Sequence, residues 1–143
     1  MTPSDRNLVQ AARAEIAAQI RAYRDLVGAA SKASGMSLTR IDAALAAFEP
    51  AFFNNLLVAL DARFREHAGG AASSARGEVR LLARSLLAHG GVLAADPSGR
   101  HDADASVLRL DVGDRIALNA DDFEALCGAF LAEVEAASVE DAG

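Results

Sequence analysis

The stretch Pro50-Ala51-Phe52-Phe53-Asn54-Asn55-Leu56-Leu57-Val58-Ala59-Leu60-Asp61-Ala62-Arg63-Phe64 decides the fold class. Phe53, Leu56, Leu57, Leu60 and Phe64 recur at three- and four-residue steps, which is the period of an α-helix. Phe52 widens the stripe, and Val58, Ala59 and Ala62 make the far side apolar as well. Asn54, Asn55 and Asp61 interrupt it, as does Arg65 just beyond. A helix that is apolar nearly all round is packed on several sides. The spacing predicts a central core helix over residues 50–67 of a mainly α-helical domain.

Upstream, Pro50 is expected to end or kink a second helix, because the residue before a proline is biased away from the helical region. That helix should start from a Ser37 cap and bury Leu38, Ile41, Leu45 and Phe48. A first helix is expected from about Asp5 to Val27, capped by Ser4, with Val9, Ala12, Ile16, Ile20, Tyr23 and Val27 in one stripe. Residues 28–35 are small and polar and read as a loop.

Downstream, residues 69–74 read as a connection and residues 74–89 as a fourth helix, with Val79, Leu82, Ala83 and Leu86 on one face. Gly90-Gly91 should stop it as a glycine C-cap. Residues 92–105 form the longest irregular stretch. The period then shortens to two: Leu108, Leu110 and Val112 point one way, as do Ile116 and Leu118. A turn of Val112, Gly113 and Asp114 would pair Leu110 with Ile116, Leu108 with Leu118 and Asp111 with Arg115. That register buries one clean face of an antiparallel hairpin and sets opposite charges together. Asn119 then caps a last helix, with Asp121, Asp122 and Glu124 at the positive end of its dipole. Its stripe is Phe123, Leu126, Cys127, Phe130, Leu131 and Val134, and the tail after Ala137 should fray. The expected fold is mainly α, one domain over residues 1–143. About five helices would pack around the central apolar one, with a small two-stranded β-hairpin before the C-terminal helix.

The chain has 143 residues, 52% of them hydrophobic and 24% charged, which is the globular regime. A chain of this length buries enough surface to fold without staples. Its formal net charge of -6 argues against binding that draws on phosphate neutralisation, and against a polybasic membrane face. The one cysteine, Cys127, excludes an intrachain disulfide. No signal-peptide pattern and no apolar run of about 20 residues is visible, so a cytoplasmic location without a membrane partner is expected.

From Phe48 onward the chain resembles a family of small uncharacterised bacterial proteins. The resemblance rests on Phe48-Glu49-Pro50-Ala51-Phe52-Phe53-Asn54-Asn55, Leu60-Asp61, Glu78-Val79-Arg80, His89-Gly90-Gly91-Val92-Leu93 and Ser106-Val107-Leu108. It continues through Val112-Gly113-Asp114-Arg115-Ile116, Asp122-Phe123 and Phe130, covering about two thirds of the chain. It implies no activity, and it assigns no functional residue.

The candidate ligand-binding residues are Asn54, Asn55, Asp61, Arg80, Arg84 and His89, the polar exceptions on the third and fourth helices. Two adjacent amides in an apolar helix can line a pocket, or they can satisfy nearby loop backbone. Arg76, Arg80 and Arg84 fall at four-residue steps, so they form one row that could hold a phosphate or a carboxylate. The bland reading of that row is a solvated flank paired with acidic neighbours. His101, Asp102, Asp104 and Asp96 make a polar loop cluster that lacks metal-ligand spacing. Cys127 lies on a core stripe, away from positive charge. No catalytic residue, metal site or cofactor motif stands out.

Three functions are weighed. The first is a non-enzymatic interaction module forming a homo-oligomer, expected as a dimer, with a protein partner as a further option. It follows from two-sided apolar helices and from a lone hairpin that needs a cover. The second is a small-ligand binder or enzyme with a pocket between the third and fourth helices. The third is a nucleic-acid-binding regulator using the arginine row, disfavoured by the acidic balance.

Overall fold

The computed structural model describes residues 3–32, 38–67, 74–99 and 101–142. They form four helices: α1 (Pro3–Lys32), α2 (Leu38–Arg63), α3 (Ala75–Ala88) and α4 (Ala120–Ala142). Single 3-10 turns lie at Arg65–His67 and Ala103–Ala105.

The expected second and third helices are one, so the count of five is corrected to four. Pro50 sits inside α2, where a proline costs about 3 kcal/mol through its lost N–H and ring clash. Contacts on both sides of the proline offset that cost. Phe48 stacks on Phe52 with centroids 5.2 Å apart, and Phe52 meets Phe53 edge-on at 5.0 Å. Between them, Glu49 Oε2 accepts the Ala120 N–H at 3.1 Å. The Ser37 cap lies outside the described residues. α1 starts at Pro3, so Ser4 is within it, and it passes through Gly28 to Lys32 instead of ending at Val27. Ser31 Oγ donates to Gly28 O at 2.8 Å in that last stretch.

α2 is not the one central helix. α2 and α4 share the middle, each packing on the other and on both α1 and α3. Phe53, Leu57, Leu60 and Phe64 from α2 meet Phe123, Leu126, Cys127, Phe130, Leu131 and Val134 from α4. Ring contacts join them: Phe53 to Phe123 at 5.3 Å and Phe64 to Phe130 at 5.6 Å. α1 runs antiparallel to α4, since Arg13 pairs with Glu135 at 3.0 Å while Arg24 pairs with Asp121 at 2.9 Å. Asn119 caps α4 through the Asp122 N–H at 2.7 Å, and the helix continues to Ala142 instead of fraying after Ala137.

The β-hairpin is absent: the described residues contain no strand, only an isolated antiparallel bridge between Val92 and Arg115. Residues 113–116 pair with 91–93, and their link to 107–112 is a turn in which Asp114 N donates to Asp111 O at 3.0 Å. Leu93 N donates to Asp114 O, Gly113 N to Leu93 O and Ile116 N to Gly91 O, each at 2.8 Å. The alternation of apolar residues faces inward only in part, since Val112, expected on the same face, is 56% exposed. Ile116 and Leu118 are buried, and Leu108 and Leu110 are half-buried against the core. What differs is where the backbone hydrogen bonds go. Buried N–H groups need partners of some kind, and here helix side chains supply them. Arg109 adopts φ 56, which breaks the extended run at its centre.

α3 starts where expected, with Ser74 Oγ accepting from Gly77 N at 3.3 Å. It ends at a pair of left-handed glycines, Gly90 at φ 64 and Gly91 at φ 81. Gly91 N reaches back to Ser85 O at 3.2 Å, closing the helix end.

α2 has an unusual balance of composition and burial. Thr39–Arg63 is long and apolar enough, by length and composition, to cross a membrane, at mean hydropathy 1.5. Only 17% of its most apolar window is buried within the protein.

Candidate functional site

The six candidate residues divide between two helices and three fates. Asn54 is spent on backbone. Its Nδ2 donates to Ile116 O at 3.0 Å and its Oδ1 accepts from Leu118 N at 3.1 Å. The two partners fix the amide orientation, because a carbonyl needs a donor and an N–H needs an acceptor. Asn55, the next residue round the helix, is exposed.

Asp61 and Arg80 are brought together. Asp61 is buried, and Arg80 Nη1 donates to its Oδ2 at 3.0 Å. A buried carboxylate left alone would be strongly destabilising, so the guanidinium is a structural requirement. Arg84, one turn further along α3, is exposed, and so is His89 at the α3 C-cap. The arginine row is interrupted as a basic stripe, since Arg80 turns to Asp61.

The loop cluster of His101 and aspartates is likewise built into turns. His101 Nε2 donates to Leu110 O at 2.9 Å. Asp102 Oδ1 accepts from Asp104 N at 3.0 Å, and Asp96 accepts from Ser98 N and Oγ at 3.0 and 2.7 Å. Among the described residues no three His, Cys, Asp or Glu side chains converge as metal ligands. Burial pushes the Cys127 thiol up to about 12, so it is a neutral core group at physiological pH.

Three polar residues outside the candidate set matter more. Glu78 is buried on the core face of α3, and its two oxygens accept Val107 N at 2.8 Å and Leu108 N at 3.0 Å. Ser85, fully buried, accepts Ala94 N at 3.1 Å. Glu49 holds the first turn of α4 and also meets the Tyr23 hydroxyl. Burial first, then this hydrogen bond and the carboxylate charge, raise Tyr23 above its ordinary value of 10.0. The sequence does carry a signal for two of them. Glu78 and Ser85 are seven residues apart and flank Leu82, so both fall on the apolar face of α3. With Asn54, they tie residues 94–118 across the helices as a strap.

Three surface hollows lie away from the six candidates. One of about 410 Å³ at the start of α4 is lined by Tyr23, Arg24, Val27, Glu49, Asn119, Ala120 and Asp121. Its polar groups are already paired. Arg24 donates to Asp121 at 2.9 Å and to Glu124 at 3.3 Å, and these bonds, Glu124 first, raise its pKa above the usual arginine value. A hollow of about 80 Å³ opens between α1 and α2 beside Ile16 and Leu56, and one of about 450 Å³ beside Leu8 and Arg65.

No protein-family model, curated protein or solved structure matches the chain.

Proposed function

We propose that the chain acts by association and not by catalysis: a cytoplasmic interaction module that pairs with a second copy of itself. The observation that carries this reading is α2, an apolar helix with only 17% of its most apolar window buried. Its aromatic row runs from the core outward, from Phe53 through Phe52 to Phe48, which is 44% exposed. Leu26 on α1 is 49% exposed. Apolar surface left open beside a formed core marks an interaction site. The polar groups that could do chemistry support the same reading, because Asn54, Glu78, Asp61 and Glu49 are engaged in holding the fold. A soluble setting for α2 is favoured by Glu49 and Asn54, whose bonds reach α4 and the strap and not lipid. Kinship with the small uncharacterised bacterial proteins is proposed on the quoted residues alone.

Native mass spectrometry of protein purified gently from its own source reports subunit number and any retained small molecule together. A bare dimer is the expected species. A monomer carrying extra mass would replace this reading with a ligand-binding one.

A further inference from the structure

We infer that two copies pair antiparallel with α2 laid directly on α2, along a heptad seam on the side of that helix opposite the core; this rests on the self-pairing reading above. At 100° per residue, the core residues Phe53, Leu57, Leu60 and Phe64 fall on one side of α2. On the opposite side, Ala44, Phe48, Ala51, Asn55, Val58 and Ala62 share an arc of about 80°. Five of the six are exposed and Val58 is half-buried, so no described helix of the chain covers that side. Their steps of 4, 3, 4, 3 and 4 residues are the a/d spacing of a coiled coil.

The seam carries no charge. The acidic residues of the helix, Asp42, Glu49 and Asp61, lie on its other sides, and Arg40 and Arg63 bound the face at its two ends. Three of the six seam residues are alanine, which lets a second helix approach to about 8 Å. Asn55 sets the register. An amide buried on an apolar seam needs a partner, and one amide both donates to and accepts from another. A two-fold axis level with Phe53 places the two Asn55 side chains about 6 Å apart along the helices, each beside Ala51 of the other copy. Phe48 then lies beside Val58 of the other copy, over a hole floored by its Ala59 and Ala62, and Ala44 meets Ala62. Every seam residue is matched, as an isologous dimer requires.

Charge agrees with that axis. Tyr23 stacks on Phe52 at 6.4 Å and Glu15 pairs with Arg63 at 2.6 Å, so α1 runs antiparallel to α2 and the axis crosses it close to Tyr23. The rotation keeps α1 on the same flank as its copy. Exposed Arg21 of each is then level with exposed Asp25 of the other, and Lys32 with Glu15. At the ends of α2, Arg40 comes level with Glu66, with Arg65 next to it. These pairs stand at the solvated rim, where they fix orientation more than they add strength.

The area sets the strength. α2 and its α1 flank present a face about 30 Å long and about 20 Å across, roughly 600 Å² per copy. The roughly 1,200 Å² from two copies reaches the lower limit of specific interfaces. Alanine adds little burial energy, so dissociation falls in the micromolar range.

Cysteine cross-linking tests the register. Ala44→Cys and Ala62→Cys are exposed substitutions, and native Cys127 is buried. The two variants are mixed under mild oxidant at about 100 µM, above the micromolar dissociation expected of a small interface, and the disulfide-linked species weighed. The mixed pair should form and neither variant should link to itself, because like positions stand about 27 Å apart along the helices and a disulfide spans about 6 Å. Self-links of either variant, or a dimer with no cross-link, would overturn this arrangement while leaving self-pairing intact. A wild type that stays monomeric at the same concentration overturns both, and leaves the face to a different protein.

Discussion

Replacing Glu78 by alanine should unfasten the strap from α3. The carboxylate is buried and serves two backbone donors, Val107 N at 2.8 Å and Leu108 N at 3.0 Å. Hydrogen bonds to a charged group contribute about 1.5–3 kcal/mol each, and buried donors left without an acceptor incur a desolvation penalty. The strap can turn these amides to solvent, because Val107 is already 38% exposed. That relief places the total near the lower bound, at about 3 kcal/mol. An unfolding entropy on the order of 0.3 kcal/mol/K for a chain of this length converts it to a fall of about 10 °C in Tm. Glu78→Gln keeps one acceptor and presents an NH2 group to the other donor, so it should fall between wild type and Glu78→Ala. The assay is thermal unfolding by circular dichroism, joined to amide hydrogen exchange at residues 107 and 108. A Glu78→Ala protein that melts within about 2 °C of wild type, well inside the expected shift, would refute the reasoning. So would unchanged protection at those two amides.

Asn54→Ala removes both ties to residues 116 and 118, and should cost about 2–3 kcal/mol by denaturant titration. Asn54→Asp keeps the acceptor for Leu118 N but sets a carboxylate against Ile116 O, so it should not rescue. Tyr23 is the one tyrosine in the chain, so ultraviolet absorbance of phenolate titrates it alone. Its midpoint in the folded protein should lie above 10.0. The sign follows: a raised folded pKa contributes stability that is complete below 10.0 and is lost as pH rises through the folded value. Tyr23→Phe should remove that alkaline loss. Cys127, held near 12 by burial, should resist thiol reagents at pH 8 until denaturant is added; rapid labelling of the native protein would show that α4 opens.

The residues that read correctly are those whose neighbours in sequence are also their reasons. Asn119, the acidic first turn and the stripe from Phe123 to Val134 all act within one helix, and they build α4 as its period implies. The same holds for Ser74 and the glycines that bound α3. Pro50 misled because its local penalty is offset by contacts that local sequence does not show, among them Glu49 on Ala120, 71 positions away. The segment 107–118 misled differently. Its two-residue period turns Leu108, Leu110, Ile116 and Leu118 toward the core, but it misses exposed Val112 and the break at Arg109, and it says nothing about which group takes each N–H. Those groups are Glu78 and Asn54, 29 to 64 positions distant. Of the candidate site, the charge pattern suggested a polar cluster between the helices. The structure gives one closed ion pair, Asp61 with Arg80, and leaves Asn55, Arg84 and His89 on the surface.

Sedimentation velocity across about 1 to 200 µM, the range in which a small interface assembles, tests self-pairing through α2 most directly. The wild type should shift from monomer to dimer within that range. Phe48→Asp, an exposed substitution outside the buried core, should stay monomeric, with Tm lowered only by the few degrees that the lost Phe48–Phe52 stack is worth. A wild type that sediments as a monomer throughout would contradict the account, and so would a Phe48→Asp protein that dimerises as well as wild type.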